Sequence, residues 1–275
     1  RAGVRSVVNQ AGRIAWRAWR RFLFKPYIIN RTINGETFPF FIGDVYGEEW
    51  YAQRIEHVPE LLWVKNNLQE GDIVADCGCH HGFVGILCAR WIGSTGEVIG
   101  FEPLPHNVEI VRKNIELNRI GNFEIRCEAV GSKNRTVRFR GDSNGAVTES
   151  AGPGTIQVPV VSLDEVFRSE KPMFLKIDVE GYEIEVLRGA REVLRSLPRL
   201  DLEIHPLLFT DPKGDVERLF ALLPLDCYEV FLQTGFNLEL VPYKPEEHTP
   251  EKIATYDKVN LFARPIAWKN GRQEE

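Results

Sequence analysis

The sequence predicts an α/β domain built on a mainly parallel, seven-stranded sheet with helices on both faces, and three observations carry that expectation. From residue 71 onward, short apolar runs alternate regularly with stretches of helical periodicity. A glycine-punctuated segment, DCGCHHG at 76–82, stands between the first such run and the first such helix. The chain is also long enough, at 275 residues with 43% hydrophobic content, to bury a sizeable core without disulfides or metals.

The elements follow in order. Val4, Val8, Ala11, Ala15, Trp19 and Phe22 recur at three- and four-residue steps, so residues 4–24 read as an amphipathic helix flanked by arginines. Asn34-Gly35 between apolar runs reads as a hairpin turn. Residues 46–70, with Trp50, Tyr51, Ile55, Leu61, Val64 and Leu68, read as one helix. The strands are IVADC (73–77), EVIGF (97–101), FEIRC (123–127), FLKIDV (174–179), LDLEI (200–204), YEVFL (228–232) and VNLFA (259–263). Helices are expected at 83–92, 106–118, 182–196 and 214–223. Buried strands joined by helices of this length imply right-handed crossovers and hence parallel pairing. The interval 131–161 breaks the alternation and reads as a β-rich insertion with a polar loop. Three regions result: a basic helical extension (1–25), a hairpin and helix lead-in (26–70) and the main domain (71–275).

Charge and cysteine usage narrow the function classes. Residues 1–25 carry seven cations and no acid, so with a net charge of -5 the other 250 residues carry -12. An acidic body is a poor phosphate-binding surface, which argues against a nucleic-acid partner. The basic helix can lie on an anionic membrane surface or dock on a partner, or it can simply cover the protein's own core. Five cysteines, an odd number set mostly in apolar runs, do not form a secreted disulfide framework, and no apolar run reaches the roughly 20 residues of a membrane span. The expected location is cytoplasmic, peripheral to a membrane if residues 4–24 bind one.

In a parallel sheet, ligands bind at the carboxyl ends of the strands, where DCGCHHG lies. Gly78 and Gly82 allow a tight turn and a close approach to the main chain. Glu102 ends the next strand twenty residues past Gly82, the usual place for an acid that binds ribose hydroxyls. The segment is therefore one wall of a nucleoside pocket. The acid Asp76 would repel a pyrophosphate but suits a cationic ligand such as S-adenosylmethionine. Cys77, Cys79, His80 and His81 lack the paired spacing of a zinc site, and C-x-C is not the C-x-x-C of a redox pair.

Together with LKIDVEGYEIEVLRGA at 175–190, FEPLPHNVEIVRKNIELN from residue 101 and LEIHP at 202–206, this segment closely resembles the FkbM family of S-adenosylmethionine-dependent methyltransferases. The resemblance covers residues 70–210 and implies a Rossmann-like class I methyltransferase fold. It further implies that Asp76, Gly78 and Gly82 line the methionine part of the cofactor, with Cys79 a small side chain beside it. By the same resemblance Glu102 holds the ribose, Glu128 and Ala129 flank the adenine, and Asp178 and Glu180 face the methyl group. The family's loop usually carries a small residue and an amide at the positions of Cys79 and His80, and this departure leaves their roles open.

Methyl transfer from a sulfonium requires alignment of donor and acceptor, and removal of a proton when the acceptor is a hydroxyl. Asp178, Glu180 and His205 are the candidates for that proton, His205 having the most suitable unperturbed pKa. The bland readings are a turn acid for Asp178, a cap for Glu180 and a structural histidine for His205. Asp178, Glu180, Glu203 and His205 could also hold Mg²⁺ or Mn²⁺, though a divalent metal is not the favoured cofactor. The leading function is O-methylation of a sugar, glycolipid or secondary-metabolite hydroxyl. IDVE replaces the Asn/Asp-Pro-Pro-Tyr turn of amino-directed DNA methyltransferases. The alternatives are an RNA or protein methyltransferase, and a non-enzymatic cofactor-binding scaffold at a membrane. Residues 26–60, 141–155 and 236–257 are expected to set specificity.

Overall fold

The structure, a computed structural model, describes residues 23–140, 146–148 and 154–268. The basic helix expected at 4–24 and most of the polar loop at 141–155 lie outside the described residues. The chain falls into two compact units, divided between Glu56 and His57.

The first unit is built on the hairpin β1 (Tyr27–Ile33) and β2 (Glu36–Ile42). Asn34 and Gly35 make its turn, both with positive φ, 48° and 84°, the backbone that matches the twist of a two-residue hairpin. Phe38, Phe40 and Ile42 alternate onto the buried face. The helix Val45–Tyr51 follows, capped by the Asp44 carboxylate, which accepts from the Tyr46 and Gly47 N–H groups. The single helix expected over 46–70 is instead two, Val45–Tyr51 and Pro59–Asn66. Proline explains the break: it has no N–H to donate and clashes inside a helix, but is tolerated in a first turn, where Pro59 sits.

The second unit carries the main sheet. Its strands are β3 (Ile73–Cys77), β4 (Glu97–Phe101) and β5 (Phe123–Arg126), then the insertion strands β6 (Ala129–Val130), β7 (Arg135–Arg140), β8 (Ala146–Thr148) and β9 (Thr155–Val161). There follow β10 (Phe174–Ile177), β11 (Arg199–Ile204), β12 (Tyr228–Gln233), β13 (Val241–Pro242) and β14 (Val259–Pro265). The sheet order is β13-β12-β14-β11-β10-β3-β4-β5. The run β11-β10-β3-β4-β5 is parallel, and β14 enters antiparallel between β11 and β12. All seven expected strands are present, and the eighth, β13, is two residues long, too short to leave a periodic signal. The insertion forms a separate four-stranded sheet, ordered β6-β9-β7-β8.

Helices cover both faces. Ala75, Ile99, Leu175 and Leu200 stand in register on one face, in a buried cluster with Val186, Leu187, Val193, Leu194, Val216 and Leu219 from helices Glu183–Arg188, Arg191–Arg195 and Pro212–Phe220. On the other face, Trp63 of Pro59–Asn66 packs on Phe174 and Phe262, with ring centroids 6.3 and 5.1 Å apart. The helix expected over 182–196 breaks at Gly189-Ala190. A side chain at Gly189 would overlap the backbone of Gly131, so the helix yields where the chain entering the insertion crosses it.

Candidate active site at the carboxyl edge of the sheet

The loop after β3 and the loop after β10 interlock through backbone. Asp178 donates its N–H to the Cys77 carbonyl at 2.9 Å, and a Cβ on Gly78 would overlap the Asp178 carbonyl oxygen. Only glycine fits there, the more so because Gly78 has φ +81°. The Gly78 and Cys79 N–H groups both donate to the Phe101 carbonyl, tying the loop to the end of β4. Gly82, at φ +79°, opens the helix Phe83–Trp91. His80 takes a positive φ of 49°, and its ring stacks on His81 at 4.0 Å between centroids.

Glu102 is buried directly after β4. It accepts from the His80 N–H (2.9 Å), the Leu104 N–H (2.9 Å) and Asn107 Nδ2 (3.2 Å). Burial pushes its carboxyl up to about 8, against the pull of those three donors. Cys79 is buried between these elements, and burial holds its thiol well above the usual range, so it is neither a metal-ready thiolate nor a redox nucleophile. Beyond β5, one carboxylate oxygen of Glu128 is buried with no donor among the described residues, and Ala129 packs with Leu104, Phe139, Val158 and Val160.

Asp76 lies beneath the loop rather than at its surface, 1% exposed. Burial pushes its carboxyl up; the Gly85 N–H is near enough to offset this in part, yet no hydrogen bond of ordinary geometry reaches either oxygen among the described residues. Its counter-ion is Lys176, whose Nζ is 3.9 Å away. These two belong to a row in register across three strands, Asp76 on β3, Lys176 on β10 and Asp201 on β11, all on one sheet face.

The acceptor side is assembled from the ends of β10 and β11. Glu180 and Gly181 both have positive φ, 52° and 89°, which turns the chain sharply after Asp178. The Gly181 N–H donates to Glu183 Oε1, and His205 Nδ1 donates to the same oxygen at 2.7 Å. That bond aims Nε2 at three carboxylates: Glu203 at 3.2 Å, Glu180 at 3.6 Å and Asp178 at 4.0 Å. Burial opposes a charge on His205, but hydrogen bonds to Glu183 and Glu203 and the nearby acids prevail and push it up to about 10. His205 is therefore an imidazolium at neutral pH and donates from both nitrogens. Asp178, still 23% exposed, has its carboxyl raised by burial and by Glu203, against Lys176 and His205. Burial likewise raises Glu203, but there His205 and Lys258, at 2.7 Å, win and hold it well below the usual range.

Asp178, Glu203 and His205 place ligand atoms within 4.8 Å of one another. Glu203 accepts hydrogen bonds from Lys258 and Asn260, Lys176 stands 3.4 Å from Asp178, and the acids around His205 favour its protonated form, which makes the cluster ion-paired.

The structure thus brings Asp178, Glu180 and His205 together, and Gly78 to the backbone of Asp178. Sequence reasoning missed Lys176, Glu183, Asp201 and Lys258. For Lys176 a signal existed: two residues before Asp178 in a strand, it must share that residue's face.

A parallel sheet with a glycine turn after its central strand, an acid ending the next strand and an acid-histidine cluster at the same edge defines the class I methyltransferase architecture. The chain belongs to the family of the methyltransferase FkbM domain, whose profile matches residues 76–230. Among curated relatives it is 29% identical over 159 residues to the hexuronic acid methyltransferase AglP of Haloferax volcanii, covering 56% of this chain and 63% of that one. It is 24% identical over 135 residues to a protein-L-isoaspartate O-methyltransferase of Caenorhabditis elegans, covering 46% and 56%. Both matches span less than two thirds of the relative's own length. Among solved structures, a methyltransferase FkbM from Methylobacillus flagellatus KT superposes with a TM-score of 0.46 at 18% identity, covering 71% of this chain and 44% of that one. A SAM-dependent O-methyltransferase from Thermotoga maritima gives 0.46 at 15% identity, covering 90% and 79%.

Proposed function

We propose that this protein transfers a methyl group from S-adenosylmethionine to a hydroxyl of a sugar, glycolipid or secondary metabolite. The observation that carries the reading is the backbone contact between Gly78 and Asp178, which sets a nucleoside-type glycine turn against a partly exposed acid of raised proton affinity. The residues present fit the cofactor: positive-φ glycines at 78 and 82 form the tight turn at the carboxyl end of β3, and Glu128 offers a buried carboxylate oxygen that has no donor among the described residues. Gly78, Cys79 and Gly82 would hold the methionine part above Asp76, Glu102 the ribose, and Glu128 with Ala129 the adenine. When bound, S-adenosylmethionine supplies an electrophilic methyl group.

The chain's own residues do the rest. Asp178 takes the hydroxyl proton, since burial and Glu203 give it more affinity for a proton than an ordinary carboxylate has. Glu183 holds His205 in one orientation, and the imidazolium donates toward Glu203, Glu180 and Asp178, fixing the acids around the acceptor. Asp178, Glu180 and Glu203 are all partly exposed, between 15% and 25%. An acceptor that is neutral at its reacting position enters such a site more readily than an anion.

A sugar acceptor agrees with the relative named as a hexuronic acid methyltransferase. An RNA acceptor would call for a basic groove, whereas residues 26–275 carry -12. The test is calorimetry with S-adenosylmethionine, then labelled methyl transfer to a panel of neutral methyl glycosides and methyl glucuronide. We expect binding, and transfer to a neutral glycoside hydroxyl. No binding at millimolar cofactor would remove the enzymatic reading, and binding without transfer to any acceptor would favour the cofactor-binding scaffold. Asp178→Asn should lower turnover at least about 100-fold while leaving cofactor affinity within about threefold. An Asp178→Asn protein of full activity would take Asp178 out of the mechanism.

A further inference from the structure

Lys176 has no part in the reading above, yet its placement is unusual. It is a lysine in the middle strand of a covered sheet, 9% exposed, where burying an unpaired ammonium would be very unfavourable. Its Nζ stands between two acids, one in β3 and one just after β10, 3.9 Å from Asp76 Oδ1 and 3.4 Å from Asp178 Oδ2. Asp76 receives no hydrogen bond among the described residues, so its carboxylate is held chiefly by this one charge. Above them, the backbones of the two loops touch at Gly78 and Asp178.

Resting on the functional reading, we propose that Lys176 is a positioning residue for methyl transfer, a buried ammonium that spans the acid beneath the cofactor loop and the acid beside the methyl group. The geometry makes the link specific. Asp178 follows a strand end and is partly exposed, so its backbone is fixed by Cys77 while its side chain has solvent on one side and Lys176 on the other. Glu203 repels it, while Lys176 attracts it. The attraction of Lys176 holds the carboxylate inward, toward the glycine turn. His205 cannot substitute, because its Nε2 is nearer to Glu203 and Glu180 than to Asp178. Any displacement of Asp178 then appears at the bound methyl group before it appears in cofactor affinity.

The experiment uses the full chain and S-adenosylmethionine labelled with ¹³C at the methyl carbon. Affinity is measured by calorimetry, and the bound methyl resonance is compared among wild type, Asp178→Asn, Lys176→Met, Lys176→Gln and Lys176→Arg. Lys176→Gln is included because its amide can still donate a hydrogen bond to the buried acids, whereas Met offers them nothing and can cost the fold itself. We expect wild type and Asp178→Asn to differ in methyl shift. Folded Lys176→Met or Lys176→Gln should bind within about threefold of wild type yet give the Asp178→Asn shift. Lys176→Arg, which keeps the charge, should move the shift back toward wild type. A wild-type shift in Lys176→Gln would overturn the proposal. So would an affinity loss above about tenfold in a folded variant, which would assign Lys176 to the cofactor loop alone. Failure of wild type to bind the cofactor, or identical shifts in wild type and Asp178→Asn, is a distinct result: it removes the functional reading and this inference with it.

Discussion

Gly78→Ala is the most direct test of the interlocked loops. Two costs add. At φ +81° any residue with a Cβ loses about 1–2 kcal/mol relative to the ordinary helical region. The second cost is steric: the new methyl would lie 2.9 Å from the Asp178 carbonyl carbon, against an ordinary carbon–carbon contact of roughly 3.5 Å or more. It would also overlap the carbonyl oxygen outright, so the two loops must part by on the order of 1 Å, enough to cost about 100-fold where alignment matters. Gly71→Ala is the control. Its φ is +85°, but the nearest atom to a new Cβ is Thr95 Oγ1 at 3.6 Å, so it carries the backbone cost without the clash. By thermal and chemical denaturation, Gly71→Ala should lose about 1 kcal/mol and Gly78→Ala about 3 kcal/mol or more. By calorimetry, only Gly78→Ala should lose cofactor affinity, by about tenfold or more. Equal stability and equal affinity in the two variants would refute the claim that the loops are locked at this point.

Two further outcomes follow from protonation. His205 has a folded pKa of about 10, above its ordinary 6.5, so its stabilising contribution is fully present below 6.5 and is lost as pH rises through 10. Unfolding free energy measured between pH 7 and 10.5 should fall by up to a few kcal/mol in wild type and by visibly less in His205→Gln; parallel curves would show that His205 is not held as an imidazolium. Burial also raises the Cys77, Cys79 and Cys88 thiols, while Cys227 is exposed. Iodoacetamide on the native protein should therefore label Cys227 and spare those three, and rapid labelling of Cys79 would contradict the packing of the loop.

How far the sequence disclosed all this depended on whether a feature was local. The strands 73–77, 97–101 and 174–177 were legible because buried parallel strands are short unbroken apolar runs, and the hairpin because Asn-Gly supplies two positive φ values. The helix break at Gly189-Ala190 was not, since its cause is the backbone of Gly131, nearly sixty residues away. DCGCHHG attracted attention for its cysteines and histidines, whereas Gly78 is the residue that tertiary contact singles out. His205 was legible as a functional candidate from its place at a strand end, but its charge was not. Glu183, at the start of what reads as an ordinary amphipathic helix, supplies a hydrogen bond that favours the protonated histidine.

The same distinction explains why an apolar-looking strand could hide a charged row. In FLKI each residue is buried, so composition alone marks Lys176 as an interruption of a hydrophobic run. Register changes its meaning: Asp76 and Asp201 stand opposite it on the neighbouring strands, and Gly85, where a Cβ would come 3.0 Å from Asp76 Oδ2, leaves that acid room beside Phe123. A lone buried lysine destabilises a sheet, and so does a lone buried aspartate, but the row joins them into a unit whose members need one another. Such a row adds little to stability, because apolar side chains of similar volume pack as well without the desolvation. Lys176 joins that row to Asp178, whose backbone meets Gly78 at the sheet edge where the proposed transfer takes place.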